Sequence, residues 1–238
     1  MRPLVILFGL FLNLSVSIHS AKAKPNFKAM TDVKEKKMQF FDYLHPVIHE
    51  QNKKIMDERK TLLSVKNHTG RMSPQVRQIC EKYQSNCSEL TVNGIEQLLE
   101  KVDIVPPSLA LAQAANESGW GTSRFATEGN NYFGQWCFTA GCGMIPIRRA
   151  AGAKQEVKSF RSVKESVSSY MHNLNTGNAY KKLRELRAKF RRKGKQVSSE
   201  TLAEGLMAYS ERGKSYVDEI QQMIRFNELQ IKYDIQYD

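Results

Sequence analysis

Residues 111–123 read Leu-Ala-Gln-Ala-Ala-Asn-Glu-Ser-Gly-Trp-Gly-Thr-Ser, and residues 130–134 read Asn-Asn-Tyr-Phe-Gly. The first stretch follows Pro106 and Pro107, which favour a helix start, and it runs into two glycines, which favour a helix end. Glu117 is therefore predicted in the last turn of a helix, where the helix dipole disfavours a carboxylate by about 0.3–1 kcal/mol. This position predicts a raised pKa for Glu117, as a general acid requires near neutral pH.

The neighbours of Glu117 in sequence favour the same conclusion. Ala114, Ala115, Trp120 and Phe125 would desolvate its carboxyl group and raise its pKa further. The alternative is a solvated glutamate at a helix end, which is common, and the residues by themselves leave both interpretations open.

The remainder of the chain is predicted to be mainly helical. Residues 31–65 carry apolar side chains at helical spacing and predict one long helix, with Pro46 as its candidate kink. A polar linker and a short helix carrying Cys80 follow, and the functional domain is expected from about Thr91 onward. Residues 136–160 are rich in glycine and β-forming residues and predict a small β-hairpin lobe. The predicted fold class is α+β and mainly α, with a long N-terminal helix preceding a helical domain.

The N-terminus has the pattern of a secretory signal peptide. Arg2 precedes an uncharged run of 15 residues at 4–18, and small residues follow up to Ala23. An uncleaved membrane anchor is the alternative, but a membrane span needs roughly 20 apolar residues. Three segments are therefore expected: a signal peptide at 1–23, a helical extension at 24–90 and the functional domain at 91–238.

Four cysteines form two close pairs, Cys80 with Cys87 and Cys137 with Cys142. Because export places the chain in an oxidising compartment, both pairs are predicted to form local disulfides. A zinc site is the alternative, but six and four residues separate the paired cysteines. The spacing typical of structural zinc sites is shorter, so disulfides are the preferred interpretation.

No metal or other cofactor is predicted. His45 and His49 are four residues apart and could face one ion. However, Pro46 stands where the helix of a metalloprotease carries its glutamate. A solvated helix face is the preferred interpretation of these histidines.

Much of the positive charge of the chain is concentrated in one segment. The sequence has 36 lysines and arginines against 24 acidic residues, a formal net charge of +12. Nine basic residues and one acid, Glu185, lie between Lys181 and Lys195, which gives that run a net charge of +8. Nucleic-acid binding is one interpretation, but export argues against it, and Phe190 is the run's only aromatic residue for base stacking. We expect a solvated helix face that meets anionic lipid or cell-wall carboxylates.

The two stretches quoted first resemble the motif pair of the glucosaminidase family, glycoside hydrolase family 73. The resemblance covers about residues 91–232. Residues 40–50, Phe-Phe-Asp-Tyr-Leu-His-Pro-Val-Ile-His-Glu, further resemble the Bax-type branch of enterobacteria and their relatives. The resemblance implies a lysozyme-like fold and a periplasmic, monomeric enzyme that cuts the glycan strands of peptidoglycan.

The family pattern also implies roles for single residues. Glu117 would be the general acid that protonates the leaving glycosidic oxygen. Asn130, Asn131 and Phe133 would shape the wall of the cleft, and Trp120 would contact substrate with them.

A second match lies at residues 209–216, Tyr-Ser-Glu-Arg-Gly-Lys-Ser-Tyr. It resembles the family's tyrosine-containing segment, which in many members reads Tyr-Ala-Thr-Asp-Pro with a second tyrosine six positions after the first. Here the interval is seven and the proline is absent. Tyr209 is expected to line the cleft and to hydrogen-bond substrate, and the alternative is a core tyrosine with a satisfied hydroxyl.

The family places a second carboxylate in its variable hairpin lobe, where this chain has Glu156. Glu165 instead fits the capping box that begins at Ser162. The partner would lie about 6.5–9.5 Å from Glu117 in an inverting enzyme and about 5 Å away in a retaining one. Use of the substrate's own N-acetyl group, with Glu156 as a solvated strand residue, is the alternative.

These observations favour an exported endo-β-N-acetylglucosaminidase. A lytic transglycosylase on the same polymer is one rival, but its motif usually continues with a Gly-Leu-Met-Gln type segment where this chain has Asn-Asn-Tyr-Phe-Gly. A non-catalytic cell-wall binding module is the rival from another class.

Overall fold

The computed structural model describes residues 23–147, 149, 152–195 and 198–234. The predicted signal peptide therefore lies outside the described residues, apart from Ala23. Within the described residues the chain forms ten α-helices and three short strands. The helices are α1 Val33–Ser64, α2 Pro74–Lys82, α3 Val92–Lys101, α4 Pro107–Ser118, α5 Arg124–Gly129, α6 Val163–Thr176, α7 Lys181–Arg192, α8 Ser199–Ala203, α9 Lys214–Phe226 and α10 Leu229–Tyr233. The strands are β1 Trp136–Cys137, β2 Gly143–Met144 and β3 Glu156–Lys158.

Helix α4 is at the centre of the core. Its residues from Pro107 to Ala115 are all buried, and α1, α8, α9 and α10 pack around it. Four of these residues are alanines, whose small side chains let neighbouring helices approach closely.

The long predicted helix is present as α1. It begins after Asp32, whose side chain accepts a hydrogen bond from the backbone N–H of Glu35 at 2.8 Å. Phe40, Leu44 and Ile48, four residues apart, form a fully buried stripe on a helix that packs against α4 and α6. Burial of each such side chain contributes about 1.5–3 kcal/mol. One apolar cluster therefore extends from the N-terminal extension into the rest of the chain.

Pro46 lies inside α1 without ending it. None of the helices within the described ranges has a stretch apolar and long enough to traverse a bilayer.

The predicted β-hairpin is instead a three-stranded antiparallel sheet in the order β1-β3-β2. Val157 of the central strand pairs with Trp136 on one side and Met144 on the other. A Cβ atom on Gly143 would lie 2.1 Å from the Val157 carbonyl oxygen, so only glycine allows β2 to approach β3. Both predicted disulfides are present: Cys137–Cys142 closes the segment between β1 and β2, and Cys80–Cys87 closes the turn after α2.

The basic run is not one solvated helix face, contrary to the sequence prediction. Arg187 is buried and donates to the carbonyl oxygens of Asp103 and Ile104, and Arg184 is buried against α6. Arg191 forms two bonds to the carboxylate of Asp103, at 2.7 and 3.0 Å. Arg187 and Arg191 are directed inward because the loop between α3 and α4 presents carbonyl groups and a carboxylate to α7. Arg184 is directed inward by the carbonyl groups of Leu174 and Gly177 at the end of α6.

Asp103 itself is 2% exposed and lies among three arginines. Arg59 of α1 approaches its carboxylate at 3.6 Å and Arg187 at 3.8 Å, in addition to the two bonds from Arg191. Burial would raise the pKa of Asp103, but the arginines together hold it below its ordinary value. The carboxylate thus links the N-terminal extension, the start of α4 and α7.

Candidate active site

Glu117 occupies the last turn of α4, as the sequence predicts. The helix ends because Gly119, Trp120 and Gly121 all adopt left-handed backbone conformations, with φ of 55°, 59° and 75°. The turn leaves the half-buried side chain of Glu117 in the wall of a cleft with a volume of about 1080 Å³.

The pKa of Glu117 is raised, as expected from its position. Burial is the main cause, and the nearby carboxylate of Glu219 acts in the same direction. A hydrogen bond with Tyr216 and the positive charge of Arg212 oppose the shift without cancelling it. The structure therefore favours the protonated form of Glu117 more than water does.

A chain of hydrogen bonds holds this carboxyl group in place. Tyr170 of α6 donates to the Gln113 side-chain oxygen at 2.6 Å, and the Gln113 amide donates to the hydroxyl oxygen of Tyr216 at 2.9 Å. Tyr216 in turn hydrogen-bonds Glu117. Since the first three side chains are almost completely buried, their donors and acceptors cannot turn to water. This chain fixes the orientation of Glu117.

Gly134, the last residue of the second motif, lies directly against Glu117. Its φ is +61°, and a Cβ atom there would lie 3.1 Å from Oε2 of Glu117. Both the backbone conformation and the close approach favour glycine at this position.

Tyr209 lines the cleft, but its hydroxyl group is used within the protein. It donates to the backbone carbonyl of Phe133 at 2.8 Å, and its ring stacks on Tyr216 with centroids 5.4 Å apart. Phe133 also lines the cleft, and its ring stacks on Tyr170 at 3.9 Å. In the structure Tyr209 therefore secures residues 133 and 134 beside Glu117.

The two asparagines of the motif organise its loop and do not line the cleft. Asn131 is buried: its amide donates to the carbonyls of Gln135 and Lys158, while its oxygen accepts the backbone N–H groups of Phe133 and Gln135. Asn130 has a φ of 50° and donates to the carbonyl of Phe160 at 3.0 Å. The double asparagine thus joins the motif to the β lobe.

Trp120 does not lie in the cleft where the sequence prediction placed it. Its ring packs edge-on against Phe40 and Phe41 of α1 with centroids 5.7 and 5.4 Å away, and Lys37 lies over it at 4.9 Å. The left-handed turn after α4 directs Trp120 toward the N-terminal extension, which the sequence could not reveal. Aromatic side chains such as Phe133 and Tyr216 enclose Glu117 instead.

Glu156 is buried in the β lobe and does not line the cleft. Its two oxygens accept the backbone N–H groups of Gly141 and Gly143 at 3.0 and 2.8 Å, which lowers its pKa. The carboxylate thereby fixes the segment between β1 and β2. Ser162 caps α6 as predicted, since its hydroxyl oxygen accepts the backbone N–H of Glu165, while the Glu165 side chain accepts the backbone N–H of Arg161 where a capping box would use that of Ser162.

Several cleft residues escaped prediction from the sequence. Trp136 and Phe138 project from the β lobe into the cleft and are 50% and 80% exposed. Gln113 and Tyr216 are the buried supports of Glu117 described above. For Trp136 and Phe138, the only sequence feature that suggested a place in the cleft was the position of Trp136 next to Cys137. Whether an aromatic side chain is exposed cannot be read from a sequence.

Comparison with known proteins identifies the family of this chain. Residues 92–229 match the glucosaminidase family, described as mannosyl-glycoprotein endo-beta-N-acetylglucosaminidase. Protein bax of Escherichia coli (strain K12) is 37% identical over 207 residues, which cover 84% of this chain and 73% of that protein.

Among solved structures, the catalytic domain of the autolysin Auto from Listeria monocytogenes is 15% identical with a TM-score of 0.43. That match covers 87% of this chain and 92% of the other. The family match spans more than half of the 238 residues and includes both motifs around Glu117. The chain therefore belongs to the glucosaminidase family and is a glycoside hydrolase of the peptidoglycan-related kind.

Proposed function

We propose that the protein is an endo-β-N-acetylglucosaminidase that hydrolyses the glycan backbone of peptidoglycan with Glu117 as general acid. The observation that carries this proposal is the buried, tyrosine-supported carboxyl group of Glu117, whose pKa is raised, in the wall of a large cleft. Ligand sites for molecules of drug size measure roughly 300–1000 Å³, so a cleft of about 1080 Å³ has room for several sugar rings.

The walls of the cleft suit a sugar polymer. Trp136 and Phe138 offer exposed aromatic faces against which the apolar faces of sugar rings can pack. Asn116, Asn173 and Arg212 supply polar groups in the same cleft for sugar hydroxyl and acetamido groups. The glycan would therefore lie between the β lobe and the helical wall.

In the proposed reaction the proton of Glu117 passes to the oxygen of the leaving sugar as the glycosidic bond breaks. A water molecule supplies the hydroxyl group that becomes bonded to the anomeric carbon, and its remaining proton restores the acid form of Glu117. Tyr216 and Gly134 position the acid, and Tyr209 holds the loop that carries Gly134. Glu156 is assigned to the support of the β lobe because both of its oxygens are bound to backbone N–H groups.

Product analysis tests this function. Purified peptidoglycan is digested, the new ends are reduced with borohydride, and the fragments are identified by mass spectrometry. Reduced N-acetylglucosamine ends support the proposal. Anhydro ends would identify a lytic transglycosylase, and binding without any fragments would identify a cell-wall binding module.

The Tyr216→Phe substitution should shift the pH profile of the enzyme. Removal of the hydroxyl takes away a hydrogen bond that lowers the pKa of Glu117, so that pKa should rise. Because a general acid is lost as pH rises through its pKa, the alkaline limb of kcat/KM should move to higher pH. Rates on a soluble glycan across a pH series measure the shift.

Tyr209→Phe is the matched control, since it removes a hydroxyl that bonds to the Phe133 carbonyl and not to Glu117. We expect a lower rate with an unchanged alkaline limb. Equal shifts in both variants, or none in Tyr216→Phe, would contradict the role assigned to Tyr216.

We also propose that the outward basic residues between Lys181 and Lys195 attract anionic lipid or cell-wall carboxylates. Arg184, Arg187 and Arg191 are excluded from this role by their internal bonds. The remaining charges are exposed, and their attraction is screened over about 8 Å at physiological salt.

Replacing four exposed lysines with glutamine should weaken co-sedimentation with intact sacculi or anionic vesicles, most strongly at low salt. The rate on a short soluble glycan should hardly change. A collapse of that rate in a folded variant would show that these residues belong to the cleft. The four residues are Lys182, Lys189, Lys193 and Lys195.

We propose that the mature protein is exported to the periplasm and acts there as a monomer. The signal-peptide pattern and the two disulfides support this location. An N-terminal sequence beginning at Lys24 in protein from the envelope fraction is expected, and an intact Met1 in that fraction would contradict cleavage.

A further inference from the structure

A second groove adjoins the cleft that contains Glu117. It has a volume of about 660 Å³ and lies between α6 and the first two helices of the N-terminal extension. Lys158, Ser169 and His172 line both the groove and the cleft, so the two spaces adjoin each other. We call this second space the annex.

The annex is cationic. Five lysine or arginine side chains and one carboxylate, that of Glu165, are among its lining residues, a difference of four positive charges with histidine neutral. The hydroxyl groups of Ser168 and Ser169 add hydrogen-bond donors. The five cations are Lys54, Lys82, Lys158, Arg161 and Lys164.

Acidic residues behind the lining hold some of these cations in place without removing the excess of positive charge. Lys54 and Lys164 both reach Oε1 of Glu50, at 3.0 and 2.7 Å, and Lys82 reaches Glu58 at 2.6 Å. Counting Glu50 and Glu58 still leaves an excess of two positive charges. Each ammonium group has three donors, so one bond to a carboxylate leaves others for a ligand.

Lys158 marks the boundary between cleft and annex. Its ammonium group lies 5.0 Å from the centroid of the Phe160 ring, and within the described ranges it forms no ion pair at 4.0 Å or less. A cation held over a ring without a carboxylate is available to an anionic ligand.

The wall formed by α2 is firmly attached. His172 of α6 hydrogen-bonds the Lys82 carbonyl at 2.7 Å, and Lys101 donates to the carbonyl of Gln84 at 2.7 Å. The Cys80–Cys87 disulfide closes the same turn. The annex is therefore a preformed feature, which limits the entropy lost when a ligand binds.

We propose that the annex binds the carboxylates of the stem peptide carried by the glycan strand, and so selects peptide-bearing over bare glycan. This inference rests on the proposed function. Peptidoglycan stem peptides are anionic and are covalently attached to the sugars, so a strand lying in the cleft would carry its peptide into an adjoining cationic space. The position of the annex beside the cleft favours such a tethered anion over a lipid headgroup. The N-terminal extension thereby gains a role in substrate recognition.

The test uses the Lys54→Gln, Lys164→Gln double variant, which removes two annex cations outside the cleft. Rates are measured on soluble glycan strands that keep their stem peptides and on strands stripped by an amidase that removes the peptides. We expect kcat/KM on peptide-bearing strands to fall about three- to tenfold, as for the loss of two partly screened ion pairs. The value on stripped strands should stay within about twofold of wild type.

The matched control is Lys34→Gln, Lys60→Gln on α1, which removes the same charge at two exposed lysines that line neither the annex nor the cleft. A fall in this control, an equal fall on both substrates or no fall at all would overturn the inference. Loss of binding to anionic vesicles in the annex variant, with unchanged peptide preference, would assign the annex to lipid and also overturn it.

Failure of the proposed function would look different, since wild-type protein would then leave anhydro ends on the fragments or cleave neither strand. Binding of both strands to Glu117→Gln, with and without the annex substitutions, decides the inference in that case. A preference for peptide-bearing strands that disappears with the two lysines supports it, and equal binding of both strands contradicts it.

Discussion

Glu117→Gln is expected to lower the rate of glycan cleavage by about 10² to 10⁴, the usual contribution of a general acid. The amide cannot deliver the proton, yet it keeps the size of the side chain and an oxygen that accepts the Tyr216 hydrogen bond. Substrate binding and the fold should therefore survive. Release of reducing ends from soluble glycan measures the cleavage rate, and circular dichroism checks that the fold survives.

The matched control is Glu128→Gln, which changes an exposed glutamate on α5, eleven residues further along the chain. It should cleave glycan at nearly the wild-type rate. If a folded Glu117→Gln protein cleaved as fast as Glu128→Gln, Glu117 could not be the acid.

Asp103→Ala should destabilise the protein by about 3–5 kcal/mol, because it leaves buried arginines without their carboxylate. Arg187 is 2% exposed, so water cannot replace the lost carboxylate as its hydrogen-bonding partner. The pKa of Asp103 is lowered in the folded state, so its stabilising effect is complete above the ordinary value of 3.8 and is lost as pH falls through the lowered pKa. Unfolding in urea at neutral pH should show the full loss in the free energy of unfolding.

Asp218→Ala is the control for that measurement. Asp218 forms an exposed ion pair with Lys214 on α9, and such pairs contribute about 0–1 kcal/mol. A loss below about 1 kcal/mol for Asp103→Ala as well would contradict the importance of the buried cluster.

The elements that local sequence rules govern were predictable. Helical spacing gave α1 nearly to its ends, and the proline start and glycine end of α4 placed Glu117 in the last turn. The predicted fold class, α+β and mainly helical with a small β lobe after a long helix, is confirmed. Cysteine spacing, together with the expected export, predicted both disulfides correctly.

The predictions that failed concerned the direction in which single side chains point. Three successive left-handed residues turn Trp120 toward α1, and no propensity predicts where such a turn directs a ring. The hydroxyl of Tyr209 and the carboxylate of Glu156 are bound to backbone groups distant in sequence. Two of the inward arginines of α7, Arg187 and Arg191, depend on a loop that lies 83 to 88 residues earlier in the chain.

The most direct measurement is a titration of the Glu117 carboxyl group itself. In protein labelled with ¹³C at glutamate side-chain carboxyl groups, the Glu117 resonance is identified by its absence in Glu117→Gln, and its chemical shift is followed with pH. Because burial outweighs the Tyr216 hydrogen bond, we predict a midpoint above the ordinary glutamate value of 4.5. Tyr216→Phe should raise it further. A midpoint at or below 4.5 would contradict the account, since Glu117 would then be an ordinary carboxylate at neutral pH and no proton donor to the glycosidic oxygen.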